Sequence, residues 1–117
     1  MSQLTASELY EWFVATIEES SSSVLLLPDD VIERRLLEDF DIDSRTFLHD
    51  DNLHVLLSSG LISEETFTLA RQLRAYAIAL RDSDAWTIAS IRSAANEWPL
   101  LLSLSDQILA QIHSSPR

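Results

Sequence analysis

The chain has 117 residues, 46% of them hydrophobic, which matches a single domain of common size with room for one core. It contains no cysteine, and this excludes disulfides, thiolate metal sites and a cysteine nucleophile. The formal net charge of −11 disfavours nucleic acid and anionic membranes as direct ligands, because like charges repel. A basic protein is therefore the favoured class of partner.

The acidic residues are concentrated at one end of the sequence. The first 51 residues carry thirteen Asp and Glu against three Arg, whereas the last 66 carry six against five. Charge displayed on one side of a domain gives steering and selectivity towards a basic partner, so we expect a binding surface in residues 1–51. No apolar run approaches the roughly 20 residues that cross a bilayer, and the first residues do not resemble a signal peptide, which favours a cytoplasmic location.

The spacing of apolar residues predicts an all-α fold, a compact bundle of five to six helices in a single domain over residues 1–117. Thr5 and Glu8 form a capping box that opens a first helix ending near Glu19. Residues 24–27 are apolar and fit either a buried connection or a short strand. Pro28 then starts a second helix to about Asp39. Residues 40–46 alternate apolar and polar side chains, but the segment is too short for this pattern to indicate a secondary structure.

The second half of the chain predicts three or four further helices. A short helix over 50–58 should end at Gly60, the single glycine and the best candidate for a left-handed cap. Ser63 should cap the longest helix, which runs to about Arg81. A fifth helix is expected over 84–98 with Trp98 in the core, and Pro99 either kinks it or starts a sixth.

The first helix carries a negative face. Its carboxylates lie within about 100° of one another, and no basic residue stands three or four positions away to compensate them. These residues are Glu8, Glu11, Glu18 and Glu19. The face is either an ordinary solvated surface or part of a docking site for a basic partner.

A denser acidic cluster follows, made of Glu38, Asp39, Asp41, Asp43, Asp50 and Asp51. We interpret it as a docking patch, with a solvated acidic loop as one alternative. The other alternative is a calcium loop, because Asp39, Asp41, Asp43 and Asp50 occupy positions 1, 3, 5 and 12 of an EF-hand pattern. Ser44 stands where that pattern has glycine, and position 12 is Asp rather than Glu.

Two tryptophans are candidate anchors for a partner. Trp12 lies at the edge of the acidic face of the first helix. Trp86 lies opposite the stripe formed by Ile88, Ile91, Ala95 and Trp98, so it either packs on the preceding turn or anchors a partner. Three arginines, Arg71, Arg74 and Arg81, form a stripe that either pairs with the N-terminal carboxylates or binds phosphate.

No catalytic, cofactor or metal site is predicted. One glycine cannot build a phosphate-binding loop, and the three histidines have no spacing that assembles a metal or hydrolytic site. We therefore expect a protein that is not an enzyme and binds no cofactor.

In its small size, helical character, strong acidity and lack of catalytic motifs, the chain resembles the immunity proteins of bacterial polymorphic toxins, including contact-dependent growth inhibition systems. The resemblance implies a cytoplasmic inhibitor that binds a basic toxin domain, often a nuclease, through carboxylates that stand in for phosphate. The acidic cluster would pair with toxin Arg and Lys, and Trp12 or Trp86 would supply the anchors. The same acidity fits an alternative, an adaptor, anti-activator or nucleic-acid mimic that binds a DNA-associated regulator.

Overall fold

Helices form nearly all the regular structure in the computed structural model, which describes residues 4–93 and 96–114. The helices are α1 (Ala6–Glu19), α2 (29–47), α3 (Asp50–Ser58), α4 (Glu64–Asp82), α5 (Ile88–Ser93) and α6 (Trp98–Ser114), with a short 3-10 helix (Ser22–Leu26) between α1 and α2. No strand occurs within these described residues. The predicted all-α fold is confirmed.

The start of α1 forms as the sequence predicts. The Glu8 amide donates to the Thr5 hydroxyl at 3.1 Å, and the Thr5 amide donates to the Glu8 carboxylate at 2.8 Å. This capping box satisfies two of the amides that a helix N-terminus leaves unpaired. The helix buries Leu9, Phe13 and Ile17, as its apolar spacing indicates.

The 3-10 helix settles the open prediction for residues 24–27 in favour of a connection. Val24 is buried, whereas Leu26 is 87% exposed. Arg92 of α5 holds this segment, donating to the carbonyls of Leu25 and Leu27 at 2.9 and 3.2 Å. A strand would need a neighbouring strand to pair with, and the described residues supply none.

The predicted end of the second helix near Asp39 is wrong. The helix continues from an α-helical start (Asp29–Ile32) through a π-helical segment (Glu33–Asp39) to a second α-helical part (Phe40–Phe47). In the π segment the hydrogen bonds span five residues, as between the amide of Phe40 and the carbonyl of Arg35. Residues 40–46 are therefore helical, and Pro28 stands immediately before the first helical residue.

Helices α3 and α4 match their sequence signals. Gly60 has a φ of 73°, and it and Leu61 donate backward to the carbonyls of Leu57 and Leu56. This is the left-handed ending that glycine favours. The Ser63 hydroxyl accepts the amide of Thr66 at 3.1 Å and so caps α4.

The helix predicted over 84–98 is wrong in its extent. Asp84 has a φ of 61°, and the amide of Ala85 bonds back to Leu80, so α4 ends here in a left-handed turn. Only α5 (Ile88–Ser93) forms in this region, and Trp98 belongs to α6. Trp98 is fully buried and donates to the Ala85 carbonyl at 2.7 Å. Ala95 lies outside the described residues.

One hydrophobic core lies among α1, α2, α4 and α6. Its largest fully buried side chains include Phe13, Phe40, Leu73, Trp98 and Leu101. Inside it the hydroxyls of Ser20 and Ser105 lie 2.6 Å apart and link α1 to α6. This arrangement leaves one face each of α1, the end of α2 and α3 exposed to solvent.

Candidate partner-binding surface

The calcium-loop interpretation of the acidic cluster is wrong. Residues 29–47 form one continuous helix, so Asp39, Asp41 and Asp43 all lie on helical turns rather than around a loop. An EF-hand site needs a flexible loop that also offers a main-chain carbonyl. No group of three or more His, Asp and Glu in the described part of the chain is placed to hold a metal ion.

Two members of the acidic cluster are engaged by arginines of α4. Asp41 pairs with Arg81 at 2.5 Å, and it also accepts from Arg45. Asp50 pairs with Arg71 at 3.3 Å. The prediction that the arginine stripe pairs with N-terminal carboxylates is thus confirmed for Arg71 and Arg81. These two carboxylates are less available to a partner than their sequence suggests.

Glu19 does not belong to a solvated face, contrary to the prediction. Its Oε1 atom is buried and has no hydrogen-bond partner among the described residues. The pKa of Glu19 is raised to about 9, mainly because the carboxyl is buried. A side-chain hydrogen bond with Asp43 and the negative charge of Asp43 act in the same direction. Glu19 is consequently neutral at pH 7, and Asp43 is half-buried beside it.

The other predicted carboxylates are open to solvent. They are Glu8, Glu11, Glu18, Glu38, Asp39 and Asp51. Asp51 lies 3.8 Å from the His49 ring, whereas the other five have no ion pair with the described residues. The negative face of α1 therefore consists of Glu8, Glu11 and Glu18.

An apolar groove lies beside this face. Its volume is about 460 Å3, and its lining comes from the start of α1, the end of α2 and α3: Leu4, Leu9, Thr46, Phe47, Asn52 and Val55. Trp12 stacks on Phe47 with ring centroids 5.4 Å apart and planes inclined by 6°. Trp12 is nevertheless 48% exposed, and Leu4 and Val55 are exposed to a similar extent. We name these residues together the α1–α3 groove.

Carboxylates stand near the residues of the α1–α3 groove. Glu8 lies one helical turn before Trp12 on α1, and Asp51 one turn before Val55 on α3, while Glu11 precedes Trp12 in the chain. An apolar centre that includes an exposed aromatic ring within a charged rim is the anatomy of many protein–protein interfaces. The arrangement can bury an apolar side chain of a partner while its carboxylates meet basic groups.

Trp86, the second predicted anchor, is engaged inside the protein. Its indole stacks on Phe40 and contacts Trp98, and its ring faces the Arg81 guanidinium at 4.6 Å. The N–H donates to the Leu37 carbonyl at 3.0 Å. Trp86 therefore packs inside the protein, but against α2 and α6 as well as the end of α4, rather than on the preceding turn alone as the alternative expected, and we leave it out of the candidate surface.

Sequence reasoning missed Leu4, Phe47 and Val55. A usable signal existed for Leu4, because it directly precedes the capping residue Thr5 and Leu9 stands at the fourth helical position. Apolar residues at these two positions often pack as a hydrophobic staple. Phe47 and Val55 carried no such signal, since only the packing of α2 and α3 against α1 brings them together.

No helix in the described residues combines the length and apolar content needed to cross a membrane. No protein-family model matches the chain, and no curated protein or solved structure is significantly similar to it.

Proposed function

We propose that the chain is a non-enzymatic cytoplasmic inhibitor, an immunity protein that binds and neutralises a basic toxin domain. The observation that carries the proposal is the half-exposed Trp12, stacked on Phe47 beside the uncompensated carboxylates Glu8 and Glu11. An exposed Trp fixed in place loses little entropy on binding, and Trp is enriched among residues that dominate interface energies.

The occupant of the α1–α3 groove should be a basic surface with an apolar side chain at its centre. Glu8, Glu11 and Asp51 supply negative charge near the groove, and Glu18 lies further along α1; no arginine of the described residues forms an ion pair with them. Charge complementarity therefore favours a partner rich in Arg and Lys. A nuclease domain has such a surface, because it must attract phosphate.

Glu38 and Asp39 are exposed on α2 and extend the negative potential of the N-terminal half. Charges at the edge of an interface act mainly on the association rate and its dependence on salt. We assign these two residues to steering, whereas Trp12 and Glu11 provide the contacts that determine dissociation.

The partner can be identified by comparing variants rather than by capture alone. Tagged wild-type protein, the W12A/E11Q variant and the control E33Q are incubated with native lysate at low salt, and bound proteins are quantified. Glu33 is an exposed acidic residue on α2 outside the groove, so the control loses one negative charge, as W12A/E11Q does, without altering the groove. The partner is the basic protein that wild type and control retain and W12A/E11Q loses.

The purified partner then decides the function. Its toxin domain should arrest growth when expressed alone, and co-expression of the wild-type chain should restore growth. W12A/E11Q should bind at least tenfold more weakly and fail to protect, while circular dichroism shows that it remains folded. A partner that is a DNA-associated regulator without toxicity supports the adaptor alternative instead. If W12A/E11Q binds the partner as tightly as wild type does, the α1–α3 groove is not the binding site.

A further inference from the structure

A cleft between α2 and α4 gathers positive charge in this acidic chain. It has a volume of about 260 Å3 and is lined by Ser44, Arg45, Arg74, Ile78 and Arg81. A second depression of about 380 Å3 shares Arg74 and Ile78 and continues along α4. The cleft shares no lining residue with the α1–α3 groove, so a ligand bound in it would be independent of the proposed function.

The three guanidinium groups have one carboxylate among the described residues. Asp41 Oδ1 accepts from both Arg45 and Arg81, at 3.2 and 2.5 Å. Arg74 forms no ion pair with the part of the chain that the structure describes, although it is only half-exposed. The nearest other pair, Arg71 with Asp50, neutralises itself. The groups that line or pair within the cleft therefore carry two more positive charges than negative ones, and Asp82 beside Arg81 offsets part of this excess.

Arg81 is held rigidly at the wall of the cleft. Its side chain is 13% exposed. Its Nη2 donates to the Asp41 carbonyl at 3.2 Å and to the Ser44 hydroxyl, and the guanidinium lies over the Trp86 ring. Nη1 donates no hydrogen bond to the described residues. A positioned guanidinium whose Nη1 keeps both of its donors unused is prepared for an anion, because little conformational freedom remains to be lost on binding.

Unbalanced positive charge in the cleft favours an anion as its occupant. Burial lowers the pKa of Arg81, and the nearby charge of Arg45 lowers it further. Asp41 and Asp82 act on this pKa in the opposite direction. Asp41 already bridges Arg45 and Arg81, but Arg74 has no carboxylate partner among the described residues. An anion beside Arg74 would supply the missing negative charge.

We propose that Arg45, Arg74 and Arg81 bind the phosphate group of a small phosphorylated molecule. Guanidinium groups match phosphate oxygens by paired hydrogen bonds, and a phosphate monoester carries close to the two negative charges that balance the excess. Ile78 is exposed beside the arginines, and the adjoining depression continues past Ala75. This apolar wall suits an organic group attached to the phosphate.

The test is a titration of the full chain with phenyl phosphate at constant ionic strength, followed by the NMR signals of the arginine Nε–H groups. We expect saturable shifts at Arg74 and Arg81, and weaker binding of inorganic phosphate, which lacks the ring. R74Q should weaken phenyl phosphate at least tenfold and remain folded, since Arg74 makes no internal ion pair. R45Q provides a second variant of the cleft.

The matched control is R34Q, which removes the same charge from an exposed position on α2 outside the cleft. Its affinity for phenyl phosphate should stay within about twofold of wild type. Equal losses in R74Q and R34Q, or shifts that do not saturate, overturn the proposal in favour of general charge attraction. Benzoate binding as tightly as phenyl phosphate also overturns it, because the cleft would then favour a carboxylate.

Discussion

The indole N–H of Trp86 donates a 3.0 Å hydrogen bond to the main-chain carbonyl of Leu37, 49 residues earlier in the chain. The bond joins the connection after α4 to the π-helical segment of α2. The same ring stacks on Phe40, with ring centroids 6.3 Å apart, and contacts Trp98, with centroids 4.8 Å apart. One side chain thus ties together three separate segments of the chain.

Replacing Trp86 with Phe should lower the free energy of unfolding by about 1–2 kcal/mol. The change removes the hydrogen bond to Leu37 and weakens the interaction with the Arg81 guanidinium. Urea unfolding followed by circular dichroism measures the effect. W12F is the control at an exposed ring and should change stability by less than about 0.5 kcal/mol. Equal effects in both variants would assign Trp86 no special role in stability.

Glu19 should make the protein less stable as the pH rises. Its carboxyl has an ordinary pKa of 4.5 when unfolded and about 9 when folded. Between these values the folded state holds a proton that the unfolded state has released, so the free energy of unfolding falls with increasing pH. E19Q keeps the neutral form and should be more stable than wild type at pH 8, by up to about 5 kcal/mol if both pKa values hold, with the difference vanishing near pH 4.

Urea unfolding of wild type and E19Q at pH 4, 6 and 8 measures this dependence. E18Q is the matched control, because Glu18 is the exposed neighbour on the same helix. Its effect on stability should be small and should not change appreciably between pH 6 and 8. An E19Q effect that is the same at all three pH values would contradict the assignment of a raised pKa to Glu19.

The buried contact between Ser20 and Ser105 predicts unequal effects of single substitutions. Ser20 Oγ also lies 3.1 Å from the Ile17 carbonyl, so it keeps an acceptor when Ser105 is changed to Ala. Among the described residues the Ser105 hydroxyl has Ser20 as its one partner, so S20A should cost about 1–2 kcal/mol, more than S105A. The double variant should cost less than the sum. Additive losses would show that the two hydroxyls do not interact.

Gly60 should resist substitution for conformational reasons alone. A Cβ atom added there would meet no heavy atom within 4 Å, but the φ of 73° is strained for residues with a side chain. G60A should therefore reduce stability by about 1 kcal/mol, and G60N by less, since Asn tolerates this conformation better. Thermal unfolding compares the two variants. Equal stability of G60A and wild type would indicate that the α3 ending relaxes to another geometry.

Local signals in the sequence predicted those elements whose causes are local. The Thr5 capping box, the Ser63 cap and the Gly60 ending each depend on residues within four positions, and each forms as predicted. The extent of α2 and the turn at Asp84 depend on distant contacts, including those of Trp86. A helical period read along the chain does not contain that information.

The sequence predicted that the candidate surface is negatively charged, but not which of the carboxylates remain exposed on it. Nothing in the sequence separates Asp41, which pairs with Arg81, from Asp39, which stays open. The partner of a charge is determined by which helices meet, and here α2 meets α4 40 residues later. The same holds for the groove, whose central stacking of Trp12 on Phe47 joins the two ends of the acidic half.

The π-helical segment of α2 keeps an uncommon repeat in phase. Buried residues recur at every fourth position, at Ile32, Leu36, Phe40, Ser44 and Leu48. On a uniform α-helix each such step overshoots a full turn by about 40°, so four steps would carry the last residue to the opposite side. The π turn contains more residues per turn, so it reduces this rotation and keeps the buried residues after it on the same side as those before it. Forcing this segment into α geometry with its length unchanged would rotate everything after it by about 80°, which would withdraw Asp41 from Arg81 and Phe40 from Trp86 together. Deleting one residue from Glu33–Asp39 would instead restore α geometry and leave the second half nearly in phase.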